Sequence, residues 1–142
     1  AMYKNILVSV DLGKAEAETK AINTAVELAR MTGANLHVLT VVPDFGFSLV
    51  GGFFPKDHEK QALERANVAL HEFTKQHVPN EVRHRHIVAH GSIYREILHY
   101  GDVCKADLIV MSAATPGPED YLLGPNAARV ARHAKVSVYV VR

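Results

Sequence analysis

The pattern that most restricts the fold is an alternation of two periods. Apolar runs of strand length recur five times, and each gap between them carries apolar residues at helical spacing. The sequence predicts strands over Tyr3–Val10, Leu36–Val42, Val82–Ala89, Ala106–Ser112 and Val136–Val141. It predicts helices over Ala15–Thr32, Lys56–Gln76, Ile93–Cys104 and Pro125–Ala134. Ile6-Leu7-Val8 is continuous and apolar, as a strand covered on both faces must be. Val82–Ala89 instead alternates in character, as a strand near a sheet edge does. Ile22, Ala25, Val26 and Ala29 form one helical stripe, and Gly33 is a natural stop. Ser92 is placed as an N-cap.

Strands alternating with helices imply an α/β protein: a parallel sheet with helices on both faces and right-handed crossovers. With 142 residues the chain fits one domain, 1–142. For five strands the expected order is 3-2-1-4-5, which puts the reversal of winding between the first and fourth strands. Ligands of such sheets sit beyond the carboxyl ends of the strands at that reversal. Two unusual loops follow those two strands, Ser9–Gly13 and Ser112–Asn126. The second runs into Tyr121-Leu122-Leu123-Gly124-Pro125-Asn126, where Gly124 permits close backbone approach and Pro125 suits the first turn of a helix. Free N–H groups of that turn would favour an anion such as phosphate.

Charge and composition remove several classes. A net charge of +1 argues against a dedicated nucleic-acid binder. No apolar run approaches the roughly 20 residues of a membrane span, and no charged-then-apolar leader opens the chain. Ala1, ahead of Met2, reads as an expression remnant. The lone cysteine, Cys104, can form no internal disulfide, which suits a reducing cytoplasm; it reads as a small buried hydrophobe. There is no GxxxxGK[ST] run and no GxGxxG fingerprint. His84, His86 and His90 on the third strand are of the type that holds zinc, but no orienting carboxylate is evident beside them and Arg83 and Arg85 oppose a cation. His58, His71 and His77 read as surface residues of the second helix. The segment 44–55, with Phe45, Phe47, Phe53 and Phe54 among glycines, reads as a cap on the core, a lid or a partner surface.

On these residues the chain resembles the universal stress protein family, and its small F/G-like bacterial subgroup. The resemblance rests on Lys4-Asn5-Ile6-Leu7-Val8-Ser9-Val10-Asp11, Leu39-Thr40-Val41-Val42-Pro43, Gly91-Ser92, and Tyr121–Arg142 with Val130-Ala131-Arg132-His133-Ala134. It implies an adenine nucleotide alpha-hydrolase-like fold, an ATP or AMP ligand, a stress-response role in the cytoplasm and a homodimer through the last strand. The β-branched strand Val136–Val141 also fits such pairing on physical grounds.

Carried over by position, the resemblance makes Asp11 the ribose contact, Val41 the adenine contact and Gly91 part of the lining. Ser9, Val10, Met111, Asn126, Ser137 and Val138 join the expected nucleotide-binding set. The family's phosphate loop reads Gly, two residues, Gly, nine residues, Gly, then Ser or Thr. Here Ser112 and Thr115 stand at the first two glycines, Gly124 arrives one residue early, and Pro125 replaces the Ser or Thr. Pro125 removes one N–H donor, while Ser112, Thr115 and Asn126 offer side-chain donors. Arg129 and Arg132 are near enough in sequence to bring positive charge, and Glu119 and Asp120 to hold Mg²⁺ accompanying the nucleotide. No catalytic residue and no resident metal site is assigned. A slow ATP hydrolase using the same pocket, and an interaction protein that binds no nucleotide, are the competing expectations.

Overall fold

The structure, a computed structural model, describes residues 2–43, 56–113 and 123–142. Five strands form one parallel sheet: β1 (Asn5–Ser9), β2 (Asn35–Pro43), β3 (His84–Gly91), β4 (Leu108–Ser112) and β5 (Ser137–Val141), in the order β3-β2-β1-β4-β5. Four helices connect them: α1 (Ala15–Thr32), α2 (Lys56–His77), α3 (Ile93–Val103) and α4 (Pro125–His133). This is the sheet order that the alternation predicts.

The continuous apolar run of β1 has its reason in the two cores. Ile6 and Val8 face Ile22, Val26, Leu70 and Phe73 of α1 and α2. Leu7, between them, faces Leu39, Ile97, Ile109 and Val130 on the side of α3 and α4. Successive side chains of a strand point to opposite faces, so a strand covered on both faces must be apolar throughout. Ile6, Leu7 and Val8 are all fully buried.

Three local details differ from expectation. β3 starts and ends two residues later than its apolar pattern suggested. Val82 belongs instead to a turn closed by its N–H to the Pro79 carbonyl (3.1 Å), and the strand continues because His90 and Gly91 pair with Val42 and Pro43. A short 3₁₀ turn, Leu12–Lys14, precedes α1, capped by the Asp11 side chain. Ser92 stands at the N-cap of α3 but makes no side-chain capping bond. Gly91, just before it, has φ +138°, a conformation that favours glycine. Gly33 ends α1 in the left-handed conformation and donates to the Ala29 carbonyl.

Candidate functional site

Beyond the carboxyl ends of β1 and β4, where the winding reverses, a cleft encloses about 700 Å³ including its solvent-open mouth. Three segments bring side chains to it. The end of β1 supplies Ser9, Val10 and Asp11; the end of β4 supplies Met111, Ser112 and Ala113; the start of α4 supplies Gly124, Pro125, Asn126 and Ala127. Val41 and Pro43 of β2 and Ile93 of α3 add apolar surface.

Each wall is fixed by bonds away from the ligand space. The Val10 N–H donates to the Leu39 carbonyl at 2.9 Å, and the Val10 carbonyl accepts from the Thr40 hydroxyl at 2.9 Å. Asp11 follows, its Oδ1 accepting from the Gly13 N–H at 3.0 Å. On the other side, Ala113 donates to the Val141 carbonyl (2.8 Å) and accepts from the Gly124 N–H (3.0 Å). α4 therefore starts at a point tied to the ends of both β4 and β5.

The start of α4 has an extended N-cap residue, Gly124, with no side-chain cap. Pro125 occupies the first turn and has no N–H. The N–H groups of Asn126 and Ala127 remain as first-turn donors at the cleft. The backbone of Gly124 has φ −63°, which any residue adopts. Ser112 ends β4 in half-buried strand conformation, and Lys105 alone among described non-glycine residues has positive φ. Serine at the first glycine position thus strains no backbone.

The expected set divides as follows. Ser9, Val10, Asp11, Val41, Met111, Ser112, Gly124, Pro125 and Asn126 share the cleft. Gly91 pairs with Pro43 at the end of β3 and does not itself line it. Ser137 and Val138 lie opposite Leu108 and Ile109, at the far end of β4 and β5 from Ser112. Thr115, Glu119 and Asp120, like the segment 44–55, lie outside the described residues. Arg129 and Arg132 do not line the cleft. The Arg129 guanidinium lies 5.1 Å from the centre of the Tyr94 ring on α3, a cation–π contact.

Five lining residues, Pro43, Ile93, Ala113, Ala127 and Glu18, lie outside the expected set, and Glu18 is the charged one. Glu18 of α1 is only 4% exposed, and its Oε2 is buried with no hydrogen-bond partner. Burial pushes its carboxyl up to about 7; the backbone N–H of Asp11 and the charge of Lys14 work against that rise, and the charge of Asp11 adds to it. The signal was present in the helical spacing. Glu18 precedes Ile22 by four residues and Ala25 by seven, which continues the buried stripe of α1 toward its N-terminus.

The histidines are differently placed than the sequence suggested. His90 Nδ1 is 3.1 Å from Glu59 of α2, so a carboxylate does stand beside it. His71 is exposed, as expected, and its ring stacks on His86 with centroids 3.7 Å apart. His86 Nε2 meets the Thr74 hydroxyl at 2.6 Å, and His84 lies edge-on to His86. Among the described residues no three His, Cys, Asp or Glu side chains gather as a metal-binding group. Cys104 is buried, and burial pushes its thiol up, away from thiolate reactivity.

Sheet order, helix placement and a cleft at the winding reversal define a doubly wound α/β protein with a ligand-type crevice. Within that class, the chain belongs to the universal stress protein family, whose model matches residues 2–142. It is 31% identical to Universal stress protein G of Escherichia coli O157:H7, over 99% of this chain and 100% of that one. A solved structure of universal stress protein UspA from Lactobacillus plantarum is 26% identical, with TM-score 0.74, covering 100% of this chain and 99% of that chain. The universal stress protein from Archaeoglobus fulgidus in complex with dAMP is 20% identical, with TM-score 0.66, covering 100% of both chains, and shares the fold. No helix among the described residues is long and apolar enough to cross a membrane.

Proposed function

We propose that this chain binds an adenine nucleotide, AMP or ATP, in the β1–β4 cleft and acts as a regulatory protein of the stress response in the cytoplasm. The observation that carries this reading is the convergence of Asp11, the apolar residues Val41, Ile93 and Met111, and the uncapped start of α4 on one crevice. A carboxylate can accept from ribose hydroxyls, apolar side chains can hold a base, and first-turn N–H groups can hold a phosphate. The family supports the same reading, and the Archaeoglobus relative is described in complex with dAMP. Any Mg²⁺ would enter with the phosphates of the nucleotide.

The reading extends to a homodimer. β5 is an edge strand, and Tyr139 on it is 46% exposed. Unpaired backbone on such an edge suits antiparallel pairing with a second copy about a twofold axis.

The test begins with the ligand released from freshly purified, denatured protein, identified by absorbance and mass spectrometry. Calorimetric titration of the stripped protein with AMP and ATP follows. A released adenine nucleotide, or saturable binding in the titration, is the expected result. An empty protein that ignores both nucleotides at millimolar concentration overturns the reading.

A further inference from the structure

The charge around the cleft is one-sided. Among the described residues its charged lining side chains are Asp11 and Glu18, and no lysine or arginine joins them. The two segments that flank it in sequence, 44–55 and 114–122, also contain no lysine or arginine. Among the described residues, the charged groups that act on Glu18 are Asp11 ahead of the 3₁₀ turn and Lys14 within it. Among the described residues, the donors available to an anion here are neutral: the N–H groups of Asn126 and Ala127 and the side chains of Ser112 and Asn126. A triphosphate would bring up to four negative charges into this setting.

Glu18 is the odd member of the wall. A buried carboxyl oxygen without a partner is costly, and such atoms are normally satisfied. Its other interaction is with the backbone N–H of Asp11, the residue that also caps the 3₁₀ turn. The orphaned oxygen belongs to a residue that lines the ligand space, so a bound molecule is the natural source of its partner.

We propose that Glu18 is a specificity-determining residue of the cleft: its protonated carboxyl hydrogen-bonds the ligand, so that adenine nucleosides with at most one phosphate are taken up together with a proton and preferred over triphosphates. This rests on the reading of the cleft as an adenine-nucleotide site and adds which ligands it selects. An ionised Glu18 beside Asp11 would oppose phosphate oxygens and leave a buried charge uncompensated. A protonated Glu18 removes that charge and gains an O–H donor. Near neutral pH both forms are accessible, because burial brings the group to about 7. Ligand binding would then decide between them.

The experiment is isothermal titration of the full chain with adenosine, AMP and ATP at pH 6 and pH 8, for wild type and Glu18→Gln. At pH 8 the wild type is also titrated in two buffers of different ionisation enthalpy, which measures proton uptake without any variant. Adenosine has no phosphate to titrate in this range, so its pH dependence isolates the protein. For a group titrating near 7, wild-type affinity for adenosine is expected to be about tenfold higher at pH 6 than at pH 8, with uptake of close to one proton at pH 8. Glu18→Gln, an isosteric neutral mimic of the protonated carboxyl, should bind adenosine equally at both pH values and keep the preference for AMP over ATP. PH-independent adenosine binding without proton uptake, or ATP binding more tightly than AMP to wild type at pH 8, overturns the role of Glu18 while leaving an adenine site standing. Absence of binding by all three ligands at both pH values overturns the adenine reading itself, and this proposal with it.

Discussion

The Thr40 hydroxyl donates to the Val10 carbonyl across 2.9 Å in a buried setting, tying the loop after β1 to the middle of β2. This bond sets the wall from which Asp11 projects. Thr40→Val keeps the shape and leaves the Val10 carbonyl without that donor, a loss of about 1–3 kcal/mol. The expected outcome is a lower melting temperature and weaker AMP binding, read by calorimetry. Unchanged values of both would show that the bond holds neither the fold nor the wall.

Glu18 also makes a prediction about stability. Its folded value of about 7 lies above the ordinary 4.5, so the folded protein binds the extra proton between those values. The sign follows: its contribution is fully present below pH 4.5 and is lost as pH rises through about 7. Glu18→Gln should therefore gain stability over wild type as pH rises, by up to about 3 kcal/mol at pH 8. Urea unfolding at pH 5 and pH 8 measures this, and an equal difference between the two proteins at both values contradicts it.

His86 acts in the opposite direction. Burial, then the neighbouring His71 and His84, hold its imidazole below the ordinary 6.5. The unfolded chain therefore takes up a proton first on acidification, and stability falls as pH drops through 6.5. His37 is also held low, by burial and then Arg85, and adds to the same loss. His86→Phe retains a ring to stack on His71 without the titration. Relative to wild type it should gain stability between pH 7.5 and pH 5.5, because His37 and the opposing change at Glu18 act on both proteins alike. Chemical denaturation at both pH values checks this.

Pro125 limits the anion cradle at the start of α4. Pro125→Ser restores a first-turn N–H and adds a hydroxyl, about 1 kcal/mol for one further hydrogen bond. AMP affinity should rise roughly fivefold while adenosine affinity stays the same. An equal change for both ligands would mean that the phosphate does not lie there.

The dimer prediction concerns the edge strand. Tyr139→Glu places like charges near one another across a twofold antiparallel pair of β5 strands. Light scattering should show wild-type mass near twice that of the 15.6 kDa chain and the variant near the single-chain value. A wild-type monomer, or a variant dimer as tight as wild type, contradicts pairing through β5.

Much of the fold was legible because each strand's pattern reports how it is covered. Ile6-Leu7-Val8 declared two covered faces, and the alternation in 82–89 declared an edge. The cleft was legible at Asp11 and Gly124 because their loops follow the strands that flank the winding reversal. What stayed hidden depends on contacts between elements far apart in sequence. Glu59 meets His90 only because α2 packs across β3, and Arg129 turns to Tyr94 only because α3 and α4 are neighbours. Ser137 and Val138 show how a motif's position in sequence can differ from its place along a strand, since they start β5 while the crevice lies beyond its end. Glu18 was obscured by its charge, although its helical phase matched the buried face.

The paired bonds at Ala113 have an evolutionary consequence. Ala113 and Gly124 are joined to each other at 3.0 Å, and Ala113 to Val141 at 2.8 Å, so the segment between them leaves and returns at one fastened point. Its length can drift without moving α4, because a longer closed loop adds only about 0.6 kcal/mol for each doubling. The glycine that arrives one residue early in this chain is a change such a fastening can absorb. Natural variation can thus change the length and residues of this segment while the start of α4 stays in register with β4 and β5.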